Sequence, residues 1–151
     1  MLRGATNITL DAKGRLAIPT RYRDQLMERG DGRLVTTVDR DHCLLLYPYP
    51  DWEDIERKLV RLPSFNPHAR KLLRLMVGHA SELEMDGQGR VLVPRELRDF
   101  AGLERQAVLI GQGNKFELWD AVRWDARREE WLNDEVAESG SLPAELESLS
   151  L

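Results

Sequence analysis

Apolar Ile8 and Leu10 alternate with polar Asn7 and Thr9, and Leu16 and Ile18 alternate with Arg15 and Ala17. A period of two predicts half-buried strands on either side of a turn. The turn reads Asp11-Ala12-Lys13-Gly14. An aspartate there accepts hydrogen bonds from turn N–H groups, and a glycine takes a positive φ at no steric cost. Pro19 ends the second strand and presets φ for the first turn of a helix. In that helix Tyr22 and Leu26 share a face, and Gly30 is placed to cap the end. Two further strands are expected around the loop Asp39-Arg40-Asp41.

The same phrase then returns. Ile8–Asp24 (ITLDAKGRLAIPTRYRD) and Leu83–Asp99 (LEMDGQGRVLVPRELRD) share six identities at an offset of 75: Asp11/Asp86, Gly14/Gly89, Arg15/Arg90, Pro19/Pro94, Arg23/Arg98 and Asp24/Asp99. Apolar positions also match, as in Leu16/Val91 and Ile18/Val93. In the second copy Leu97 and Phe100 point inward and Gly102 closes the helix. At an offset of 73, Leu34–Tyr47 aligns with Ala107–Asp120, whose loop is Gly111-Gln112-Gly113-Asn114. Trp52 and Trp124 each open an acidic, helix-like stretch. An internal repeat of this kind decides the architecture before any single element does.

Between the copies Trp52, Ile55, Leu59 and Leu62 fall at steps of three and four, one face of a helix that Pro63 ends. Asn66 offers an N-cap with Pro67 at the first helical position. Ala69, Leu72, Leu73, Met76, Val77 and Ala80 make a second apolar face. After the second copy, Asp120 can cap a helix carrying Trp124, Trp131, Leu132 and Val136. Ser139–Leu151 reads as an acidic, frayed tail with one loose turn from Pro143 to Leu149. The organisation is therefore unit 1 over 5–52, a helical connector over 53–80, unit 2 over 81–124, and a C-terminal helix and tail over 125–151. A unit of about 45 residues is too small for its own core. Two in one chain can share a barrel, each completing the other, in an α+β fold.

Composition changes the picture little. The chain has 151 residues, 42% of them hydrophobic, and one cysteine, Cys43, which has no internal disulfide partner. A reducing cytoplasm is the expectation. No stretch approaches the roughly 20 apolar residues of a membrane span, and Met1–Leu10 has no signal-peptide pattern. The net charge of −4 argues at first against a nucleic-acid partner. Its distribution reverses that. Residues 1–23 carry five basic groups against Asp11 alone, whereas residues 125–151 carry two basic and eight acidic groups.

Two copies of Asp-x-x-Gly-Arg, each followed by an apolar strand and a Pro-started helix, resemble the SpoVT-AbrB DNA-binding fold. The pair of units, the connector ending LMVGHASELEMD, and the segments GHASELEMDGQGRVLVP and GQGNKFELWD resemble the MraZ family of bacterial transcriptional regulators over residues 1–138. The resemblance implies a duplicated, swapped-hairpin-type β-barrel, pseudo-dimeric, with connecting and C-terminal helices. It also implies a cytoplasmic, nucleoid-associated protein that binds double-stranded DNA at repeated boxes in the promoter of its own operon, the division and cell-wall cluster. The usual role is repression. Assembly into closed rings of about eight or more subunits is implied as well.

On that reading Arg15 contacts DNA, since a guanidinium can bond a guanine edge bidentately or fork onto phosphate. Asp11 holds the turn and orients the arginine. Lys13 meets backbone phosphates at the tip, and Arg3 and Arg21 are its neighbours. In the second copy Gln88 replaces Lys13, so Arg90 is a secondary contact or a structural group. Gly14, Asp86 and Gly89 are turn-formers. Taken without the resemblance, Asp11–Arg15 is a surface pair contributing under about 1 kcal/mol.

Three other classes are weighed against this one. For an enzyme, His42 and Cys43 are adjacent on an expected strand and so face opposite ways. His68 and His79 have no metal-ligand spacing, and His79, at the end of the connector helix, reads as a cap or a packing residue. Gly-Gln-Gly-Asn lacks the Lys-Ser/Thr of a phosphate loop. No catalytic residue, metal, cofactor or small-molecule ligand is expected. For a ring-forming scaffold, Trp124 and Trp131 could mark an interface or pack onto their own barrel. An antitoxin of the same fold usually has one unit and a disordered toxin-binding tail.

Overall fold

The structure is a computed structural model and describes residues 1–134 and 144–149. Its strands are β1 (Leu2–Thr9), β2 (Arg15–Ala17), β3 (Arg33–Val38), β4 (Leu44–Pro48), β5 (Ser81–Glu84), β6 (Arg90–Leu92), β7 (Gln106–Gly113) and β8 (Phe116–Asp120). Its helices are α1 (Thr20–Gly30), α2 (Tyr49–Val60), α3 (Pro67–Leu72), which continues as a π-helical turn over Leu73–Val77, α4 (Arg95–Phe100), α5 (Ala121–Leu132) and α6 (Ala144–Glu147).

The strands pair across the repeat. A six-stranded antiparallel sheet runs β1-β7-β8-β4-β3-β5, and β2 and β6 form a separate two-stranded ribbon. The hairpin of unit 2 receives the first strand of unit 1, from Leu2↔Gly113 to Thr9↔Gln106. The hairpin of unit 1 receives the first strand of unit 2, from Arg33↔Glu84 to Thr36↔Ser81. The halves meet in the middle at β4 and β8, from Leu44↔Leu118 to Leu46↔Phe116. Neither unit is complete by itself, which is the exchange the size argument calls for. The expected barrel takes the form of this sheet with the ribbon laid across it. β1 and β5 remain the edges of the sheet.

The core lies between ribbon and sheet. Leu16, Ile18, Val91 and Val93 from the ribbon side pack with Leu34, Leu44, Leu46, Leu109, Phe116 and Leu118 from the sheet. Helices cover the other face. Trp52 of α2 packs on Val35, Leu45 and Tyr47, while Trp124 of α5 packs on Cys43, Val108, Ile110 and Trp119. β4 is therefore buried on both faces, which is why its five residues read as one apolar run rather than an alternation. Trp119, Trp124 and Trp131 form a mutually packed trio with ring centroids 5.8–5.9 Å apart. The tryptophans thus hold α5 on its own sheet, although Trp131 stays 45% exposed.

Several local expectations are adjusted. Pro19 and Pro94 occupy the N-cap position, with ψ of 138° and 145°, not the first helical turn. Gly30 is the last residue of α1, and Asp31 takes the left-handed C-cap at φ 54°. The N–H groups of Asp31 and Gly32 then bond Met27 and Leu26 carbonyls, so the polar residue supplies the reversal. Gly111–Gly113 belongs to β7 and not to a loop, because β1 extends far enough to pair with it. A Cβ at Gly111 would lie 2.4 Å from the Arg3 backbone nitrogen, so only glycine permits that approach. Asn66 caps α3, accepting from the N–H groups of His68 and Ala69, and Asp120 caps α5 by accepting from Arg123. Leu72 is exposed rather than packed. The π-helical turn shifts the phase from Leu73 onward, so Leu75 joins the main core while Met76, Val77 and Ala80 pack under α2. Thr37 donates its hydroxyl to the Met76 carbonyl at 2.6 Å. Val136, residues 139–143 and residues 150–151 lie outside the described residues.

Candidate nucleic-acid interface

Each Asp-x-x-Gly-Arg turn closes on its own carboxylate. Asp11 accepts through Oδ1 from the backbone N–H groups of Lys13 and Arg15, both at 2.9 Å. Its Oδ2 accepts from Arg15 Nε at 2.7 Å. Asp86 repeats this with the N–H groups of Gln88 and Arg90 at 2.9 Å and Arg90 Nε at 3.0 Å. Gly14 and Gly89 donate back to the Asp11 and Asp86 carbonyls and hold φ at 90° and 75°. One aspartate thus satisfies two turn donors and clamps a guanidinium four residues on.

These bonds favour the ionised carboxylate. The Arg15 backbone N–H, followed by its side chain, holds Asp11 down at about 2. The Arg90 backbone N–H likewise lowers Asp86. Both arginines are committed through Nε alone, and among the described residues their terminal nitrogens have no acceptor. Each is oriented while its forked end stays available for a bidentate partner.

The ribbon then brings the two copies together. Leu16 faces Val91, and the flanking pairs are Arg15↔Leu92 and Ala17↔Arg90. Leu16 and Val91 are buried, so by strand alternation Arg15 and Arg90 share the outward face. Two arginines 75 positions apart stand diagonally across a three-pair ribbon. Lys13 and Gln88 are exposed at the two turns.

A second pair of arginines crosses between units. Arg23 Nε donates to the Ile18 carbonyl at 2.8 Å, and Ile18 N–H donates to the Gly89 carbonyl at 2.8 Å. Arg98 Nε donates to the Val93 carbonyl at 3.0 Å, and Val93 N–H donates to the Gly14 carbonyl at 3.0 Å. The guanidinium of each lies over the turn glycine of the other unit. Sequence alone does not place Arg23 and Arg98 at the turns, although their identity in both copies marks them.

Arg3 and Arg21 gather elsewhere. Arg21 donates to the Thr6 hydroxyl and to the Tyr22 hydroxyl, and its guanidinium sits 4.6 Å from the Tyr22 ring centroid. Tyr22 donates in turn to the Arg3 carbonyl. This cluster fastens α1 to β1, so Arg21 has a packing role visible in the fold, and the Arg3 residue is exposed beside it.

Other groups with chemical potential are occupied. His42 is in a turn at φ 61°, not on a strand, and stacks on Phe100. His79 Nδ1 lies 2.9 Å from the Leu75 carbonyl, as a cap does. Asp39, Cys43 and Glu117 bring three potential ligand atoms within 4.8 Å. Asp39 and Glu117 already accept from Asp41 N–H and the Trp119 indole. Burial, reinforced by Glu117 and Asp39, pushes the Cys43 thiol far above its ordinary range, so it stays protonated. No helix among the described residues is long and apolar enough to cross a membrane.

The exchanged hairpins and paired Asp/Arg turns define the class as a duplicated SpoVT-AbrB-like fold. A family described as "MraZ protein, putative antitoxin-like" matches residues 1–75 and again 76–139. Full-length relatives agree: a protein of Halorhodospira halophila is 57% identical, one of Thioalkalivibrio sulfidiphilus 57%, and one of Coxiella burnetii 51%, each covering 100% of both chains. All three are named "Transcriptional regulator MraZ". The chain belongs to the MraZ family.

Proposed function

We propose that this protein is a DNA-binding transcriptional regulator that reads duplex DNA with the outward face of the β2–β6 ribbon. The observation that carries the reading is the pairing of Arg15 and Arg90 on one face, each oriented by an aspartate and each with a free fork. Arg15 makes the principal contact, to a base edge or a phosphate. Lys13 meets phosphate at the first turn, and Arg90 contributes less, because Gln88 leaves its turn without the extra cation. Arg3 supports the backbone contact, and Arg21 does so through its place on α1.

The finer reading is a nucleoid-associated cytoplasmic regulator that binds repeated boxes in the promoter of its own operon, the division and cell-wall cluster, as a repressor. It acts as a ring of about eight or more copies, closed by repetition of one interface. A single subunit offers few phosphate contacts, so affinity comes from several hairpins engaging successive boxes. The acidic charge of residues 125–151 discourages non-specific adhesion.

The test is binding to the native upstream region over a range of salt concentrations. Affinity should fall linearly in log salt, and a duplex with one box should bind far more weakly than one with several. R15A should abolish binding with oligomer size unchanged. Normal binding by R15A would refute the site, and no binding to any DNA would favour the scaffold reading.

A further inference from the structure

We infer that the groove between the connector and the β3–β4 turn receives the C-terminal segment of a neighbouring copy of this chain. The groove holds about 430 Å³. Its apolar floor is Leu72, Leu75, Met76 and Phe100, and Arg40, Lys71, His42 and His68 stand around it, with Asp39 the one carboxylate of the lining. Among the described residues, neither Arg40 nor Lys71 has a carboxylate within ion-pair distance, although nine such pairs exist elsewhere. An apolar floor beneath unneutralised cations calls for an amphipathic acidic occupant.

The chain carries such a segment. Residues 135–151 hold four glutamates and no lysine or arginine. Leu146 in α6 is 49% exposed and Leu149, two residues beyond its end, is 53% exposed, near an exposed Glu145; the Leu149 N–H donates to the Leu146 carbonyl at 3.2 Å. That turn keeps the two leucines close together, so they suit the floor and Glu145 suits the rim. In the single chain both halves of this match stand open: Leu146 and Leu149 are exposed, and so is Leu72 at 38%. Docking between copies buries both and gives the acidic tail a use. The inference rests on the proposed assembly of copies and is independent of DNA.

The experiment mixes two full-length variants, L72C and L149C, equilibrates them and oxidises mildly. Both positions are exposed, so neither change threatens folding, and Cys43 is buried and silent. Mass spectrometry then reads the disulfide between position 72 of one molecule and position 149 of another, with light scattering reporting assembly in parallel. The link is expected in the mixture. K71E added to the L72C protein should lower its yield about fivefold, and E145K added to the L149C protein should restore it. A link confined to the L72C/L149C double variant would place the segment in its own chain and overturn the inference. Assembly without the link would overturn the docking and leave the assembly reading standing. Absence of assembly would overturn both.

Discussion

Arg98 lies directly over Gly14: a Cβ at that glycine would come within 2.4 Å of the Arg98 Nε. Arg23 bears the same relation to Gly89, at 2.2 Å. The turn that displays one unit's arginine is therefore roofed by an arginine of the other unit. The close approach of the arginine side chain and the positive φ favour glycine for separate reasons, and both act at once.

G14A should consequently destabilise the fold. The left-handed backbone alone costs an alanine about 1–2 kcal/mol, and the displaced Arg98 guanidinium adds to that. For a chain of this size each kcal/mol lowers the Tm by about 2–4 °C. G87A is the control, since nothing lies within 4 Å of the position a Cβ would take there. Thermal melts should show a clear loss for G14A and a shift of under about 0.5 kcal/mol for G87A.

Arg15 and Arg90 should differ in effect. R15K should bind DNA nearly as poorly as R15A, because an ammonium cannot fork onto two acceptors. R90A should weaken binding less. K13Q should reduce the slope of log affinity against log salt by about one without changing sequence preference. Salt titrations of the four variants on one multi-box duplex separate these outcomes.

The turn should be acid-sensitive in a defined window. Asp11 is held at about 2 against an ordinary 3.8, so the folded state binds its proton less readily than the unfolded chain. Its stabilising contribution is present above the unfolded value and drains away as pH falls from about 4 towards 2. Carboxyl-carbon NMR should report an Asp11 midpoint near 2 and a lowered Asp86 midpoint. In R15A the Asp11 midpoint should rise, and an unchanged value would show that the side-chain clamp contributes nothing.

Phe116 should report the dependence of one unit on the other. It is fully buried and meets the Tyr22 ring edge-on at a centroid distance of 5.0 Å, joining β8 of unit 2 to α1 of unit 1. F116A should cost about 3–5 kcal/mol. Denaturant unfolding followed by tryptophan fluorescence and by circular dichroism should remain one coincident transition. Two separated transitions would mean the units fold independently.

Local order was written plainly in the chain. The Asp, Gly and Arg of each turn interact within four residues, so their chemistry predicted their geometry. The helix faces of Tyr22 with Leu26 and of Trp52 with Ile55, and the caps at Asn66 and Asp120, likewise follow from spacing over three or four positions. The repeat announced two incomplete units in need of each other. What the sequence left open was the choice of partner. Alternation says that a strand has a buried face but not which edge it joins, and β1 with β7, β5 with β3, and β2 with β6 are all pairings between residues far apart in the chain. Tertiary structure made that choice, because only the exchanged arrangement buries Leu16, Val91 and Phe116 in one core. The same choice set Arg15 beside Arg90 and Arg98 over Gly14. It drew Gly111–Gly113 into β7 and turned His42 onto Phe100. Arg15 and Arg90 were legible as members of the repeated turn; their convergence on one face came from long-range pairing.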